Sequence, residues 1–423
     1  MNILIFTMGS RGDVQPYVCL GAALRRLGHD VTISTGQGFD EMIEAQGMIS
    51  APISLNFRDL IALPEMQDAL RSLSGKIRAW RSFGKLIRRQ YDDMWAISQA
   101  VKPDLFLYHP KGFAAQHIAE AQQVSAVATT LQPAFVPTAE FPLIFLPFPG
   151  LGRFGNSLSH KLFAGLMNWG QSSSMKRWRS ETLGLKSPYP GDFFAGYDPA
   201  GRVLPRLHGY SRHIVPKPAD WSAREDITGY WFEEPANDWK PPEALVRFLN
   251  TGPPPVYVGF GSMPAEDAEQ QTRIVIEALR TVGRRGILAT GWGGLKDLPH
   301  SENIHMLDAA PHSWLFPHCS TVVHHGGAGT THEGLRWGRP SVICPLSVDQ
   351  PYWGRRVMAL GAGPAPLPQK RLKAANLAKA IETAHDPAIR TRAEQIGAAI
   401  RAEGGADAAA AIIDRFFRNP GDA

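Results

Sequence analysis

Short apolar runs alternate with longer stretches of helical periodicity along this chain. Residues 2–7 are almost wholly apolar, as a strand covered on both faces must be. Tyr17, Leu20, Gly21, Leu24 and Leu27 then recur at helical spacing, with Pro16 suited to the first turn and Gly28 to the end. Residues 31–35 predict a second strand, so the chain opens with a strand–helix–strand crossover of the kind that joins parallel strands. Further strands are predicted over 104–108 and 126–130, with a helix over 112–122 between them. The alternation begins again near Pro255. Strands over 256–260, 286–290, 321–324 and 341–345 are interleaved with helices over 267–282 and 331–337, and a last helix covers 406–417. The intervening stretch 136–220, rich in proline, glycine and aromatics, reads as irregular.

This order predicts an α/β protein made of two doubly wound parallel sheets, with ligands at the carboxyl ends of the strands. At 423 residues the chain is too long for one ordinary core, which agrees with two domains. The expected division is a first Rossmann-like domain over 1–220, a linker over 221–240 and a second Rossmann-like domain over 241–405. The final helix, 406–423, is expected to pack back on the first domain.

Composition narrows the picture only a little. The net charge of +5 is small and spread along the chain, so nucleic acid is not an expected partner. Cys19, Cys319 and Cys344 have neither metal-ligand spacing nor the even count of a disulfide framework, which fits a reducing cytosol and a cytoplasmic location. The first residues lack the basic n-region of a signal peptide, and no window is apolar for long enough to span a bilayer.

The stretch His324-His325-Gly326-Gly327-Ala328-Gly329-Thr330-Thr331-His332-Glu333 carries the most chemistry. It runs from a strand through a glycine-rich turn into a helix start. Backbone N–H groups and the positive end of the helix then converge on one point, where phosphate binds. Sixteen residues after Glu333 come Asp349 and Gln350, suited to sugar hydroxyls. Phosphate and sugar recognition together point to a nucleotide-sugar enzyme. No Asp-x-Asp pair occurs in the chain, so the charge of a departing diphosphate is expected to be met by protein groups and not by a metal. His325, the N–H groups of Ala328, Gly329 and Thr330 and the Thr330 hydroxyl are suitable donors, and Gly261 with Ser262 would add a second phosphate contact. His325 is otherwise a hydrogen-bonded core histidine. His324 and His332 are read as structural.

These segments resemble the GT-B glycosyltransferases, and among them the sterol 3-beta-glucosyltransferases and bacterial antibiotic glycosyltransferases. The resemblance is carried by Gly9-Ser-Arg-Gly-Asp-Val-Gln-Pro-Tyr17, by the stretches 208–221 and 228–232, and by Gly291-Trp-Gly-Gly-Leu295. Pro311-His-Ser-Trp-Leu-Phe-Pro317, the 324–333 turn, Asp349-Gln-Pro-Tyr-Trp-Gly-Arg355 and Gly361-Ala-Gly-Pro-Ala-Pro366 complete it. It implies a GT-B fold whose two Rossmann-like domains face across a cleft, acceptor on the first and donor on the second. It further implies that Asp13 is the general base that takes the acceptor hydroxyl proton. An aspartate capping a helix N-terminus is the plainer reading of the same residue. Glu333 falls where the resemblance places a ribose-binding glutamate, and Asp349 with Gln350 where it places the hexose contacts. Trp292 is the candidate for stacking on the base, or else a core tryptophan, with the backbone of Ala310 to His312 on the base edge. Ser10, Arg11 and Gly12 of the opening loop and Gly327 and Gly329 of the turn complete the expected donor contacts.

The resulting expectation is an inverting, metal-independent transferase with no cofactor. It would move glucose from UDP-glucose to a hydroxyl of a sterol, terpenoid or other apolar small molecule. The alternatives are a secondary-metabolite glycosyltransferase using a UDP- or dTDP-sugar and, in another class, a nucleotide-sugar epimerase of the same fold. Residues 76–89 are basic and amphipathic, which fits either a peripheral contact with an anionic membrane or an ordinary surface helix.

Overall fold

The computed structural model of the chain describes all residues except 55, 57–72, 235–238, 262–267, 292–294, 300 and 419–423, and gives the backbone alone for 73–86. Ser262 and Trp292 therefore lie outside the described residues, as does most of the side-chain pattern of 76–89.

The first half places β1 (Asn2–Phe6), α1 (Arg11–Arg26), β2 (Asp30–Ser34), α2 (Asp40–Glu44), β3 (Ile49–Ser50), α3 (Leu73–Val101), β4 (Leu105–Tyr108), α4 (Ala114–Gln122) and β5 (Ser125–Thr130) in order. It continues with α5 (Gly152–Glu181), β6 (Arg206–His208) and β7 (Glu225–Ile227). The strands form one parallel sheet in the order β3-β2-β1-β4-β5-β6-β7. The second half holds α6 (Glu243–Asn250), β8 (Val256–Gly259), α7 (Ala268–Thr281), β9 (Gly286–Ala289), β10 (Ile304–Leu307), α8 (His312–Leu315), β11 (Thr321–His324), α9 (Ala328–Arg336) and β12 (Ser341–Ile343). Its five strands are also parallel, in the order β10-β9-β8-β11-β12. Then come α10 (Gln350–Ala359), α11 (Ala374–Ala384), α12 (Pro387–Arg401) and α13 (Gly405–Arg418).

Both sheets are doubly wound. Strand order reverses between β1 and β4 in one and between β8 and β11 in the other, which opens a crevice at the carboxyl end of each. The central strands are largely apolar because helices cover both faces: Ile3, Leu4 and Ile5 of β1 and Val322 and Val323 of β11 are fully buried.

Three expectations change. The stretch 136–220 is not all irregular, since it contains the thirty-residue α5 and the strand β6. The sheet of the first domain also runs past residue 220, because β7 lies inside the stretch expected as a linker. Pro16 lies within α1, beyond its first turn, because the helix starts at Arg11. α13 returns to the first domain and lies along α1, with Ala409, Ala410 and Ile413 buried in the same cluster as Val14, Val18 and Leu24.

Candidate functional site

Asp13 stands in the first turn of α1, just past β1, and Lys111 stands just past β4, so the two flank the crevice of the first sheet. One carboxylate oxygen of Asp13 accepts the Ser10 backbone N–H at 2.9 Å and the Ser10 hydroxyl at 3.2 Å. The other accepts from the Lys111 ammonium at 2.6 Å. The capping role and an outward-facing oxygen thus coexist on one side chain. Gly9 makes room for it: its φ is +138°, and a Cβ there would sit 2.1 Å from the carboxylate. Burial pushes the Asp13 carboxyl up, but the charge and hydrogen bond of Lys111 and the Ser10 backbone hydrogen bond hold it below the usual range, so it is ionised at neutral pH.

Across the cleft, the crevice of the second sheet lies between Gly261, after β8, and His325, after β11. The imidazole of His325 fits between glycines. A Cβ on Gly261 would come 2.8 Å from its Cε1, and one on Gly327 would come 2.6 Å from its Nε2. Burial holds His325 down to about 4, so the ring is neutral at pH 7, and its Nδ1 is buried without a partner among the described residues. Gly327 is the N-cap of α9 and no side chain among the described residues caps that helix, so its first turn, Ala328, Gly329 and Thr330, has no side-chain acceptor there. His324 is structural: it is fully buried, and its Nδ1 accepts the Gly326 N–H at 3.1 Å. His332 pins the two halves together. Its Nδ1 donates to Ala328 O at 2.7 Å, its Nε2 accepts from Ser211 N at 3.2 Å, and its ring stacks on Tyr230.

Glu333 is buried on α9, where its carboxylate accepts from Trp337 Nε1 at 2.6 Å. Burial pushes it up to about 7 against the nearby Arg336 guanidinium. Asp349 stands at the N-cap position of α10 without a side-chain capping bond, and its carboxylate accepts from Trp353 Nε1 at 2.8 Å. It follows Val348, a β-branched residue held at φ +58°, a costly conformation that concentrates at functional sites. Burial raises the Asp349 carboxyl, the Trp353 hydrogen bond opposes that rise, and the negative charge of Asp13 adds a smaller upward push. Gln350 is turned into the preceding loop, where its side-chain oxygen accepts from Leu346 and Ser347 N–H. His312 stacks on Phe316, and its Nε2 lies 3.3 Å from the Tyr257 hydroxyl beside the half-buried Ala310. Burial, then the charge of Arg11 from the opposite lobe, holds His312 at about 4. Ser10 is the N-cap of α1, and the exposed Gly12 lies in the first turn of that helix.

Four residues of the cleft escape a reading by motif. Lys111 is one. Gln132, just past β5, donates to Asp349 at 3.1 Å across the cleft. Glu233, in the connection between the lobes, accepts from Gln15 and lies 3.8 Å from Arg11. The Tyr230 hydroxyl sits over Gly329 at the start of α9, where a Cβ would come within 2.9 Å of it. Lys111 and Gln132 follow strands bordering the crevice, a position that the topology of a parallel sheet marks out. Tyr230 and Glu233 lie in a connection with no such rule. Among the described residues no cluster of three or more His, Cys, Asp or Glu is placed to hold a metal.

Residues 3–140 match the glycosyltransferase family 28 N-terminal domain, and residues 286–411 match the erythromycin biosynthesis protein CIII-like C-terminal domain. Two sterol 3-beta-glucosyltransferases of Arabidopsis thaliana are 34% and 33% identical to the chain over 99% of its length, covering 66% and 68% of theirs. The chain thus spans about two thirds of these plant relatives, and less than a third of the fungal sterol 3-beta-glucosyltransferases it also matches. The solved structure of CalG4, the calicheamicin glycosyltransferase, superposes with a TM-score of 0.73 at 19% identity, covering 100% of this chain and 99% of that one.

Proposed function

The chain belongs to the GT-B glycosyltransferase family that includes the sterol 3-beta-glucosyltransferases, and on that premise we propose that it moves glucose from UDP-glucose to a hydroxyl of a sterol or similar apolar alcohol. Asp13 takes the hydroxyl proton as the acceptor oxygen bonds to C1 of the sugar. The bond from C1 to the β-phosphate oxygen breaks on the opposite face, so the anomeric centre inverts and UDP leaves carrying the electron pair. The α9 N–H groups, the Thr330 hydroxyl and His325 receive the developing charge, with Gly261 admitting the diphosphate close to the backbone. Glu333 accepts the ribose hydroxyls, and Asp349 the hexose hydroxyls.

One observation supports this reading most. An ionised carboxylate stands at the switch point of one sheet, in the lobe whose Gln132 reaches Asp349 of the other, and at the second switch point stand a helix N-terminus with no side-chain cap and a buried histidine nitrogen with no partner among the described residues. The test is Asp13→Asn. UDP binding by calorimetry is expected to persist, while transfer to a detergent-dispersed sterol falls by roughly 10²–10⁴-fold. Retained turnover would remove Asp13 from the chemistry. The match of the second half to the erythromycin biosynthesis model favours one other reading, transfer of a dTDP-sugar to a secondary metabolite. Competition between UDP-glucose and dTDP-glucose for the purified protein decides between them.

A further inference from the structure

α5 buries a face of mixed character, Arg179 included, and exposes an apolar one. Asn156, His160, Met175 and Trp178 are buried against the first domain. On the other side Leu151, at the N-cap, and Phe154, Leu158, Leu162, Leu166 and Trp169 recur at intervals of three and four residues and face solvent. Phe154 is 81% exposed and Trp169 76%. At 1.5 Å per residue the stripe is about 27 Å long. Large apolar side chains contiguous over such a length mark a docking surface, whereas scattered ones do not.

The surrounding charge identifies the occupant. No aspartate or glutamate occurs between Glu140 and Glu181, while Arg153, Lys161, Lys176 and Arg177 of α5 are all exposed. An apolar stripe edged only by cations fits a lipid surface with anionic headgroups, into which the apolar side chains sink while the cations stay among the phosphates. A second copy of this chain fits poorly, because a two-fold contact would set basic flank against basic flank. No helix among the described residues is long and apolar enough to cross a membrane, so α5 would lie in the surface. Behind the stripe, Phe163 packs on Phe145 of the loop that reaches the second lobe, where Arg355 donates to Leu146 O at 3.2 Å.

We propose that the exposed face of α5 docks the protein on an anionic membrane. The purpose of such docking rests on the reading of an apolar, membrane-borne acceptor, but docking itself can be measured without transfer. The experiment is flotation of the full chain with vesicles of phosphatidylcholine and phosphatidylserine, against pure phosphatidylcholine. The protein is expected to float with the anionic vesicles, and the triple variant Leu162→Ser, Leu166→Ser, Trp169→Ser to do so at least ten-fold less. Transfer to detergent-dispersed sterol is expected to be the same in both, which separates this idea from the assignment of the enzyme. Brominated phospholipid should quench part of the tryptophan emission, and Trp169→Phe should bind equally but lose that part. Equal flotation of wild type and triple variant, or none by the wild type, would overturn the proposal. So would a dimer in sedimentation velocity that the triple variant abolishes, since the face would then belong to a second copy.

Discussion

Lys111 gives access to the protonation of Asp13 without touching Asp13 itself. Its ammonium is the largest of the influences holding that carboxyl down against burial. In Lys111→Met burial acts unopposed by that charge, so the Asp13 carboxyl rises and the acid limb of the kcat/KM profile is expected to move to higher pH, with the alkaline limb unchanged. An unmoved acid limb would mean that the limb reports another group. Glu333 shows the opposite displacement. Its folded value of about 7 lies above the ordinary 4.5, so the folded protein keeps a proton that the unfolded chain has lost. Stability therefore falls as pH rises from 4.5 to 7 and stays lowered above that. Glu333→Gln removes the penalty while keeping an oxygen for Trp337 Nε1. Relative to wild type, the variant should gain on the order of 3 kcal/mol between pH 4.5 and pH 8 in urea unfolding, while its affinity for UDP falls. A constant difference across that range would show that Glu333 is already ionised in the folded state at low pH.

At the scale of elements, the turns after β8 and β11 depend on each other. Gly261 has φ +77°, and any side chain there meets the His325 ring. Gly261→Ala is expected to displace that ring and weaken UDP binding by about ten-fold or about 1.4 kcal/mol, read by calorimetry, with the fold intact by circular dichroism. Unchanged affinity would separate His325 from the diphosphate. The β11–turn–α9 segment was legible because apolar run, glycine turn and helix start are contiguous in sequence, and the buried β1 and β8 were legible because parallel strands are apolar throughout. α5 was not legible. Leu158, Leu162 and Leu166 do recur at helical spacing, but on the exposed side, while the buried side carries Asn156, His160 and Arg179 beside Met175 and Trp178, so the apolar pattern does not mark the face that packs. β6 and β7 have three residues each, too few for any periodicity to register. In the cleft, Asp13 stood out through its loop, whereas Lys111 and Gln132 carry no local signature. They become visible only when the strand order sets β4 beside β1 and β5 beside β4.

At the scale of the molecule, the two sheets are not independent bodies. One apolar cluster joins Phe106 and Trp178 of the first lobe to Trp353, Val357 and Ile396 of the second. Arg356 donates to Ile214 O at 2.9 Å across the same boundary. The chain also ends on the lobe where it began: α13 lies along α1, the helix that carries Asp13, and Ile413 is fully buried between them. Loosening α13 should therefore be felt by both lobes. Ile413→Ala removes buried methyl and methylene groups at a site held by helices on either side, a change that costs about 2–5 kcal/mol in comparable cores. Because the lobes share a core, calorimetry of the wild type is expected to give one unfolding transition, and Ile413→Ala to lower that transition as a whole. UDP should raise the melting temperature of wild type and variant alike, since the ligand binds the native form of a single cooperative unit. If instead two transitions appear and Ile413→Ala lowers only one of them, the lobes unfold separately. The return of α13 would then be a local brace for α1, with no bearing on the stability of the donor side.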